Sequence, residues 1–157
     1  MKPNIDIKDK NLEEIANILN TLVADEYVLY TKTRNAHWNV EGPYFMQLHK
    51  FFESQYEELD EIIDKVAERV RSAGHYSLGK LKDFLNVTRL SENTNKPGDS
   101  KHLIQALLKD HESIICNLRR ELVIINDTHG DAATSDFITG IMEQHEKMAW
   151  MLRAHLA

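Results

Sequence analysis

The chain has 157 residues, of which 42% are hydrophobic and 28% charged, values typical of one globular domain and not of a disordered segment. Its formal net charge of −6 makes the surface as a whole a poor electrostatic match for nucleic acid. Cys116 is the single cysteine, which excludes an intrachain disulfide and fits a reducing compartment. Because no apolar run approaches the roughly 20 residues that span a bilayer and the N-terminus lacks a secretion signal, we expect a cytoplasmic protein.

The first half of the chain contains two long helical patterns. Apolar residues recur at helical spacing from about residue 9 to 38, which predicts a first helix after a tail of about eight residues. Gly42-Pro43 then breaks the pattern. Pro43 suits the first turn of a second helix, predicted to run from about 43 to 73 and to end before Gly74.

The second half of the chain also contains two long helical patterns, which follow a long connection. The polar stretch 75–100 contains LGKLKDFL, which predicts a short helix, and SENTNKPGD, which predicts a loop. Asp99 or Ser100 can cap a third helix at about 100–126, and a fourth is predicted at about 133–155 after the break NDTHGDAATSD. No period-two alternation is long enough to predict a sheet. The pattern therefore predicts an all-α protein, a single domain over 1–157 with the ferritin-like four-helix bundle and its long crossover connection, here carrying a short extra helix.

One narrow face of the second helix carries side chains of the metal-ligand type. With His49 as the reference, Glu53, Asp64 and Glu68 lie at about 40°, 60° and 100° around the helix axis. We call these four residues the carboxylate stripe. The apolar residues cluster near about 280° and are Leu48, Phe52, Tyr56, Leu59, Ile63, Val66 and Val70. The stripe is therefore predicted to face away from the bundle core.

The carboxylate stripe has two interpretations. It is either the solvated side of an amphipathic helix, the common role of surface carboxylates, or a set of metal ligands. The second interpretation rests on His49 and Glu53, whose i, i+4 spacing lets two side chains meet one ion. Nitrogen and carboxylate ligands without thiolate suit iron, manganese or zinc rather than copper(I).

A metal site built from this stripe requires two chains. Glu53 and Asp64 are about 16 Å apart along the helix axis, because each residue advances about 1.5 Å. If two copies of the helix pack antiparallel about a two-fold axis between residues 58 and 59, His49 faces the partner's Glu68 and Glu53 faces the partner's Asp64. Such an interface makes two identical sites. His37, at the end of the first helix, is well placed to add a nitrogen ligand to each.

Other candidate residues also have two interpretations. Trp38, next to His37, either packs against its neighbours or intercepts stray oxidising equivalents. Trp150 and the methionines Met142, Met148 and Met151 are predicted to be core residues. The histidines His102, His111, His145 and His155 are predicted to be surface or core residues, because none has a carboxylate at the spacing found for His49.

Several segments resemble a known family. AHWNVEGPYFMQLHKFFE, the following DKVAERV, and the C-terminal TGIMEQHEKMAWMLRAHL are similar to sequences of the Dps proteins, the miniferritins named for DNA protection in starved cells. The resemblance covers nearly the whole chain, and its His-x11-His…Asp-x3-Glu pattern is specific. It implies a dodecameric hollow shell that protects against oxidative stress. In such a shell, two-fold interfaces oxidise iron(II) at di-iron sites, preferably with hydrogen peroxide, and ferric mineral is stored inside.

The resemblance also implies roles for individual residues. His37, His49, Asp64 and Glu68 match the ferroxidase ligands, and Glu53 stands where the family usually has Asp. Two positions depart from the acidic residues that help the family to nucleate mineral, Lys50 and Ser54, and Glu57, Asp60 and Glu61 are the available substitutes. Acidic residues near the last break line the family's iron-entry pores, and the corresponding candidates here are Asp127, Asp131 and Asp136. Helix capping and a solvated turn are the alternative roles for these three.

DNA binding is the alternative function. Some Dps proteins bind DNA through a long lysine-rich N-terminal tail. Here the tail is short, and Lys2, Lys8 and Lys10 are offset by Asp6 and Asp9. Because phosphate binding needs a net positive footprint, we expect DNA binding to be weak.

Overall fold

A computed structural model of the chain describes residues 3–93 and 98–157. Helix α1 spans Asp9–Asn39, α2 spans Phe45–Ser72, α3 spans Leu81–Val87, α4 spans Ser100–Val123 and α5 spans Ala132–Ala154. The four long helices and the short one lie where the apolar spacing predicts them, and the described part of the chain contains no strand. Lys2 and residues 94–97 of the predicted loop lie outside the described residues.

The long helices form two hairpins that pack into one bundle. Helix α1 packs mainly against α2, and α4 mainly against α5, while α1 also contacts α3 and α4. All four long helices contribute to the core. Its largest fully buried side chains include Leu19, Leu29, Phe52, Leu59, Ile114, Leu118 and Ile138. Burial of such side chains is the main force that holds the helices together, at about 1.5–3 kcal/mol for each.

Specific side chains set the ends of the helices. Asp99 is the N-cap of α4 and accepts a hydrogen bond from the backbone N–H of His102 at 3.2 Å, so of the two predicted caps, Asp99 and Ser100, the structure has the first. Asp131 caps α5 in the same way, accepting from Thr134 N–H at 2.9 Å. Gly74, just beyond α2, has φ of 86°, a conformation that glycine adopts without a Cβ clash.

A buried carboxylate fixes the crossover connection to the bundle. Asp25 of α1 is fully buried and accepts hydrogen bonds from Thr88 Oγ1 at 2.8 Å and from the backbone N–H of Arg89 at 2.7 Å. The Arg89 guanidinium pairs with the same carboxylate at 2.6 Å and also with Glu121 of α4. These bonds hold the end of α3 against α1 and α4.

Three predictions about the elements need correction. Trp150 is not a core residue, since it lies on the outer side of α5 and is 62% exposed. Met142 and Met148 are buried as expected, whereas Met151 is only half-buried. Pro43 precedes α2, which begins at Phe45, so the proline occupies the turn and not the first helical turn. The third predicted helix continues past Val123 only as a π-helical turn, Ile124–Thr128.

No helix among the described residues is long and apolar enough to cross a membrane.

Candidate metal centre

His37 and His49 lie face to face between the end of α1 and the start of α2. Their rings are stacked, with centroids 3.7 Å apart and planes 20° apart. His37 Nδ1 lies 2.7 Å from the carbonyl oxygen of His49, and His49 Nδ1 lies 2.9 Å from the carbonyl oxygen of His37. The short connection between the helices, in which Gly42 has φ of 111°, brings the two histidines together.

These reciprocal bonds determine which nitrogen of each ring is free. A carbonyl oxygen can only accept a hydrogen bond, so both Nδ1 atoms must carry the proton. In the neutral ring each Nε2 then has an unshared electron pair, which is the form of histidine that binds a metal ion. A ligating histidine that donates its other N–H to a carbonyl is the usual supporting arrangement in metal sites. His37 is 7% exposed and His49 is half-buried, so the backbone holds both rings in place.

The carboxylates of the stripe lie on the outer face of α2. Glu53, one turn after His49, is half-buried, while Asp64 and Glu68 are exposed. The structure therefore brings His37 and His49 together with Glu53 one turn away, and does not bring Asp64 or Glu68 to them within one chain. In residues 3–93 and 98–157 no group of three or more His, Cys, Asp or Glu side chains converges on a possible ion position.

Aromatic residues surround the histidine pair. The Tyr56 ring lies edge-on to His37 at 5.3 Å, and its hydroxyl donates to Glu53 Oε1 at 3.5 Å. Desolvation and the Glu53 carboxylate raise the pKa of Tyr56, so the hydroxyl keeps its proton near neutral pH. The Arg34 guanidinium lies 5.0 Å from the ring centroids of both Trp38 and Tyr56, close enough for cation–π attraction.

Sequence reasoning missed the roles of Tyr56 and Arg34. The apolar pattern places Tyr56 in the core, whereas its ring is half-buried and its hydroxyl points to Glu53. The available signal was spacing, because Tyr56 follows Glu53 by three residues and Arg34 precedes His37 by three. Trp38 is 62% exposed, so within its own chain it packs only partly.

The three candidate pore residues differ in their surroundings. Asp131 is buried and bonds to Thr134 and to the Arg69 guanidinium at 3.4 Å, which is a capping arrangement. Asp127 is exposed and accepts a hydrogen bond from Asn126 at 2.7 Å, and Asp136 is exposed on the first turns of α5. Asp127 and Asp136 therefore remain the accessible candidates.

Known proteins are similar to this chain over nearly its whole length. A family model described as a ferritin-like domain matches residues 16–157. The chain is 41% identical over 153 residues to a low-temperature-induced protein of Nostoc sp., covering 98% of this chain and 86% of the relative. It is 36% identical over 144 residues to DNA protection during starvation protein 2 of Bacillus anthracis, covering 92% and 97% of the two chains.

Solved structures show the same likeness. The Dps protein of Vibrio cholerae, described as a member of a broad superfamily of ferritin-like diiron-carboxylate proteins, superimposes with a TM-score of 0.91 at 30% identity, covering 100% of this chain and 98% of the other. The Dps protein of Bacillus brevis gives a TM-score of 0.89 at 34% identity, covering 96% and 100%.

Proposed function

Because the chain belongs to the Dps family of ferritin-like proteins, we propose that it oxidises iron(II) to iron(III) and stores ferric mineral inside a shell of its own copies. Iron(II) is the substrate, and hydrogen peroxide is the preferred oxidant. The observation that carries the proposal is the histidine pair, in which backbone carbonyls occupy both Nδ1 atoms and leave both Nε2 atoms for a metal ion.

The second half of each proposed site comes from another chain. One chain supplies His37, His49 and Glu53, and the partner supplies Asp64 and Glu68 across a two-fold axis between residues 58 and 59 of α2. The exposure of Asp64 and Glu68 supports this arrangement, because side chains on the outer face of a bundle are available to a neighbouring copy. An isologous contact of this kind produces two equal sites for each pair of chains.

The donor set fits the proposed substrate. Imidazole nitrogen and carboxylate oxygen bind iron, and they also accept zinc or manganese. Hard carboxylate oxygens favour iron(III) over iron(II) and so favour the oxidised product. Tyr56, which donates to Glu53, and the carbonyls that bond the histidines hold the ligands in position before an ion arrives.

The chemistry explains why two ions must be bound side by side. Two iron(II) ions each give one electron, the O–O bond of one hydrogen peroxide breaks, and two protons complete two water molecules. A lone iron(II) gives only one electron, so the same bond breaks into hydroxide and a hydroxyl radical. The contribution of the protein is therefore to place two ions together in an oxygen- and nitrogen-rich site.

Exposed apolar side chains support assembly into a larger particle. Single apolar residues on a surface are ordinary, but groups of them mark contacts with other molecules. On this chain Trp38, Tyr44, Phe45 and Met46 are exposed within nine consecutive positions, and Leu81 and Leu85 are exposed on α3. We propose that other copies cover these residues and that the shell is the dodecamer of the family.

Mixing two inactive variants tests whether two chains share each site. His49→Ala removes a nitrogen ligand from every site, and Asp64→Ala removes an oxygen ligand from every site. When one chain of each kind pairs, one site loses both ligands and the other keeps both. Random pairing of equal amounts therefore restores about a quarter of the sites. We expect stopped-flow absorbance of ferric product to show about a quarter of the wild-type rate for co-expressed chains.

The controls separate assembly from chemistry. Glu14→Ala removes an exposed carboxylate near the start of α1 and should retain the wild-type rate, while size-exclusion chromatography should show the same particle for every variant. A mixture no faster than its two parents would refute a site shared between chains. Wild-type rates in both single variants would mean that the stripe is only a solvated surface.

A further inference from the structure

A second group of ionisable side chains lies inside the bundle and is separate from the proposed metal site. Glu26 of α1, His111 of α4 and His145 of α5 are each 0% exposed. Charged side chains are rarely buried completely unless they are paired, so three on three different helices need a physical explanation. Of these three, sequence reasoning grouped the histidines as surface or core residues and did not single out Glu26.

The three side chains form a linear hydrogen-bonded chain. His145 Nε2 lies 2.8 Å from Glu26 Oε1, and His145 Nδ1 lies 2.9 Å from His111 Nδ1. His145 thus uses both ring nitrogens and stands between the other two residues. At the two ends, Glu26 Oε2 and His111 Nε2 are buried without a hydrogen-bond partner. These three side chains do not form a metal site, since in the part of the chain that the structure describes no group of three or more His, Cys, Asp or Glu side chains could hold a metal ion.

The two facing Nδ1 atoms of His111 and His145 limit how many protons this hydrogen-bonded group of three side chains can hold. A distance of 2.9 Å between two Nδ1 atoms is a hydrogen bond, which needs a proton on one atom and an electron pair on the other. If both imidazoles were fully protonated, two N–H groups would point at each other and two positive charges would be buried. Glu26 can balance only one of those charges. The second proton therefore breaks the link between α4 and α5 and leaves an unpaired charge in the interior, at a high cost in free energy.

We propose that the chain Glu26–His145–His111 is an acid-sensitive lock. It joins α1, α4 and α5 while at most one proton lies between the two imidazoles, and it releases these helices when acidification protonates both. The lock is a property of the bundle of each subunit and does not depend on the proposed oxidation of iron.

The direction of the pH effect follows from the surroundings of His111. Burial, and then the charge of His145, lower its pKa well below the ordinary 6.5. The unfolded chain therefore binds a proton at a pH where the folded chain does not. Stability from this group is complete above about pH 6.5 and falls as the pH decreases from there towards the folded pKa.

Other charged groups also lie on the helices that the lock joins. Asp110 of α4 pairs with Lys32 of α1, and burial raises the pKa of Asp110 above its ordinary 3.8, which favours the folded state on acidification. Asp25 of α1, which precedes Glu26 in the sequence, pairs with Arg89 in the anchor of the crossover. Three residues after His145, α5 contacts the uncharged Gln55 of α2, which donates to the Met148 carbonyl at 3.3 Å. The charged contact between α2 and α5, Arg69 with Asp131, lies at the start of α5.

Replacing His111 with a side chain that cannot titrate tests the lock. In His111→Asn the amide can donate to His145 Nδ1 but cannot gain a proton. We expect the melting temperature of the wild-type assembly to fall steeply between pH 7 and pH 5, and that of His111→Asn to fall by less than half as much. His102→Asn is the matched control, with the same substitution at a partly exposed position of α4, and should follow the wild-type curve. Equal slopes for wild type and His111→Asn would overturn the proposal.

A measurement on the unaltered protein keeps the test independent of how the variant folds. Hydrogen–deuterium exchange, corrected for the intrinsic effect of pH, should show that peptides around residues 26, 111 and 145 lose protection at pH 5.5 relative to pH 7.5. Unchanged protection in those peptides would refute the lock. Iron oxidation by His111→Asn at pH 7.5 should equal that of wild type, since His111 is not part of the proposed metal site.

Discussion

At His37 and His49, the position of one proton on each ring determines what the other nitrogen can do. Both Nδ1 atoms donate to backbone carbonyls, so the backbones of α1 and α2, and not a neighbouring side chain, determine that the Nε2 atoms are free. The stripe residue Glu53 has a side-chain partner of its own, since Tyr56 donates to it at 3.5 Å. These contacts orient three of the five proposed ligands within a single chain.

The hydroxyl of Tyr56 gives a prediction at the scale of one atom. Tyr56→Phe keeps the ring against His37 but removes the donor to Glu53. Because the bond is long at 3.5 Å and lies where Tyr56 is only half-buried, its loss should slow iron oxidation by only about two- to threefold, with little change in stability. Tyr44→Phe, which removes the hydroxyl of an exposed tyrosine, should have no effect. A Tyr56→Phe rate equal to that of wild type would show that Glu53 needs no support.

At the scale of the helices, buried ion pairs and caps decide how the elements are joined. Asp25 fixes the crossover to α1 through Thr88 and Arg89. Asp131 joins the start of α5 to α2 by capping Thr134 and pairing with Arg69. Each carboxylate satisfies donors from an element that is distant in sequence.

Loss of the crossover anchor should destabilise the bundle strongly. Asp25→Ala leaves Arg89 and the backbone N–H without their buried partner, and breaking such a pair costs about 3 kcal/mol. Glu112→Ala is the control, because its pair with Arg153 is about half exposed on both sides and should contribute less than about 1 kcal/mol. Urea unfolding followed by circular dichroism would measure both, and equal losses would contradict the role assigned to Asp25.

We expect Asp131 and Asp127, both near the last break, to have different roles, the first in stability and the second in iron uptake. Asp131→Ala removes a helix cap and should lower the free energy of unfolding by about 1 kcal/mol. Asp127→Ala removes an exposed carboxylate and should leave stability unchanged but slow iron uptake if this region lines an entry pore. Initial uptake rates and urea midpoints would be compared. A stability loss in Asp127→Ala with normal uptake would reject it as a pore residue.

At the scale of the whole molecule, net charge and the N-terminal tail bear on DNA binding. The chain carries a formal charge of −6, and the tail packs back on the bundle, because the Pro3 ring lies so close to Gly74 that an added Cβ would meet it at 2.5 Å. Lys8 and Lys10 are exposed, but Asp6 and Asp9 beside them in the sequence are exposed too, so this segment offers phosphate little net positive charge.

We therefore expect weak binding of DNA at physiological salt. A gel shift with plasmid DNA near pH 7 and about 150 mM salt, where the Debye length is about 8 Å, should show little retardation. The same assay in about 10 mM salt would reveal any residual electrostatic attraction. Tight binding at the higher salt concentration would contradict this prediction and favour a DNA-compacting role.

The sequence by itself determined the helices, the bundle class and the outward face of the carboxylate stripe. These features follow from local periodicity, since residues three and four apart share a face of a helix whatever surrounds it. The caps at Asp99 and the break at Gly42 are local in the same sense. The shared metal site stays a prediction, because it depends on a second chain.

Only the tertiary structure decided which side chains meet across helices. The tautomers of His37 and His49, and the hydrogen-bonded row from Glu26 through His145 to His111, depend on contacts between residues on different helices. Trp150 illustrates the limit, because an apolar residue in an apolar helix was predicted to be buried but faces outwards. Periodicity assigns a residue to one face of its helix, and the packing of the other helices determines what that face contacts.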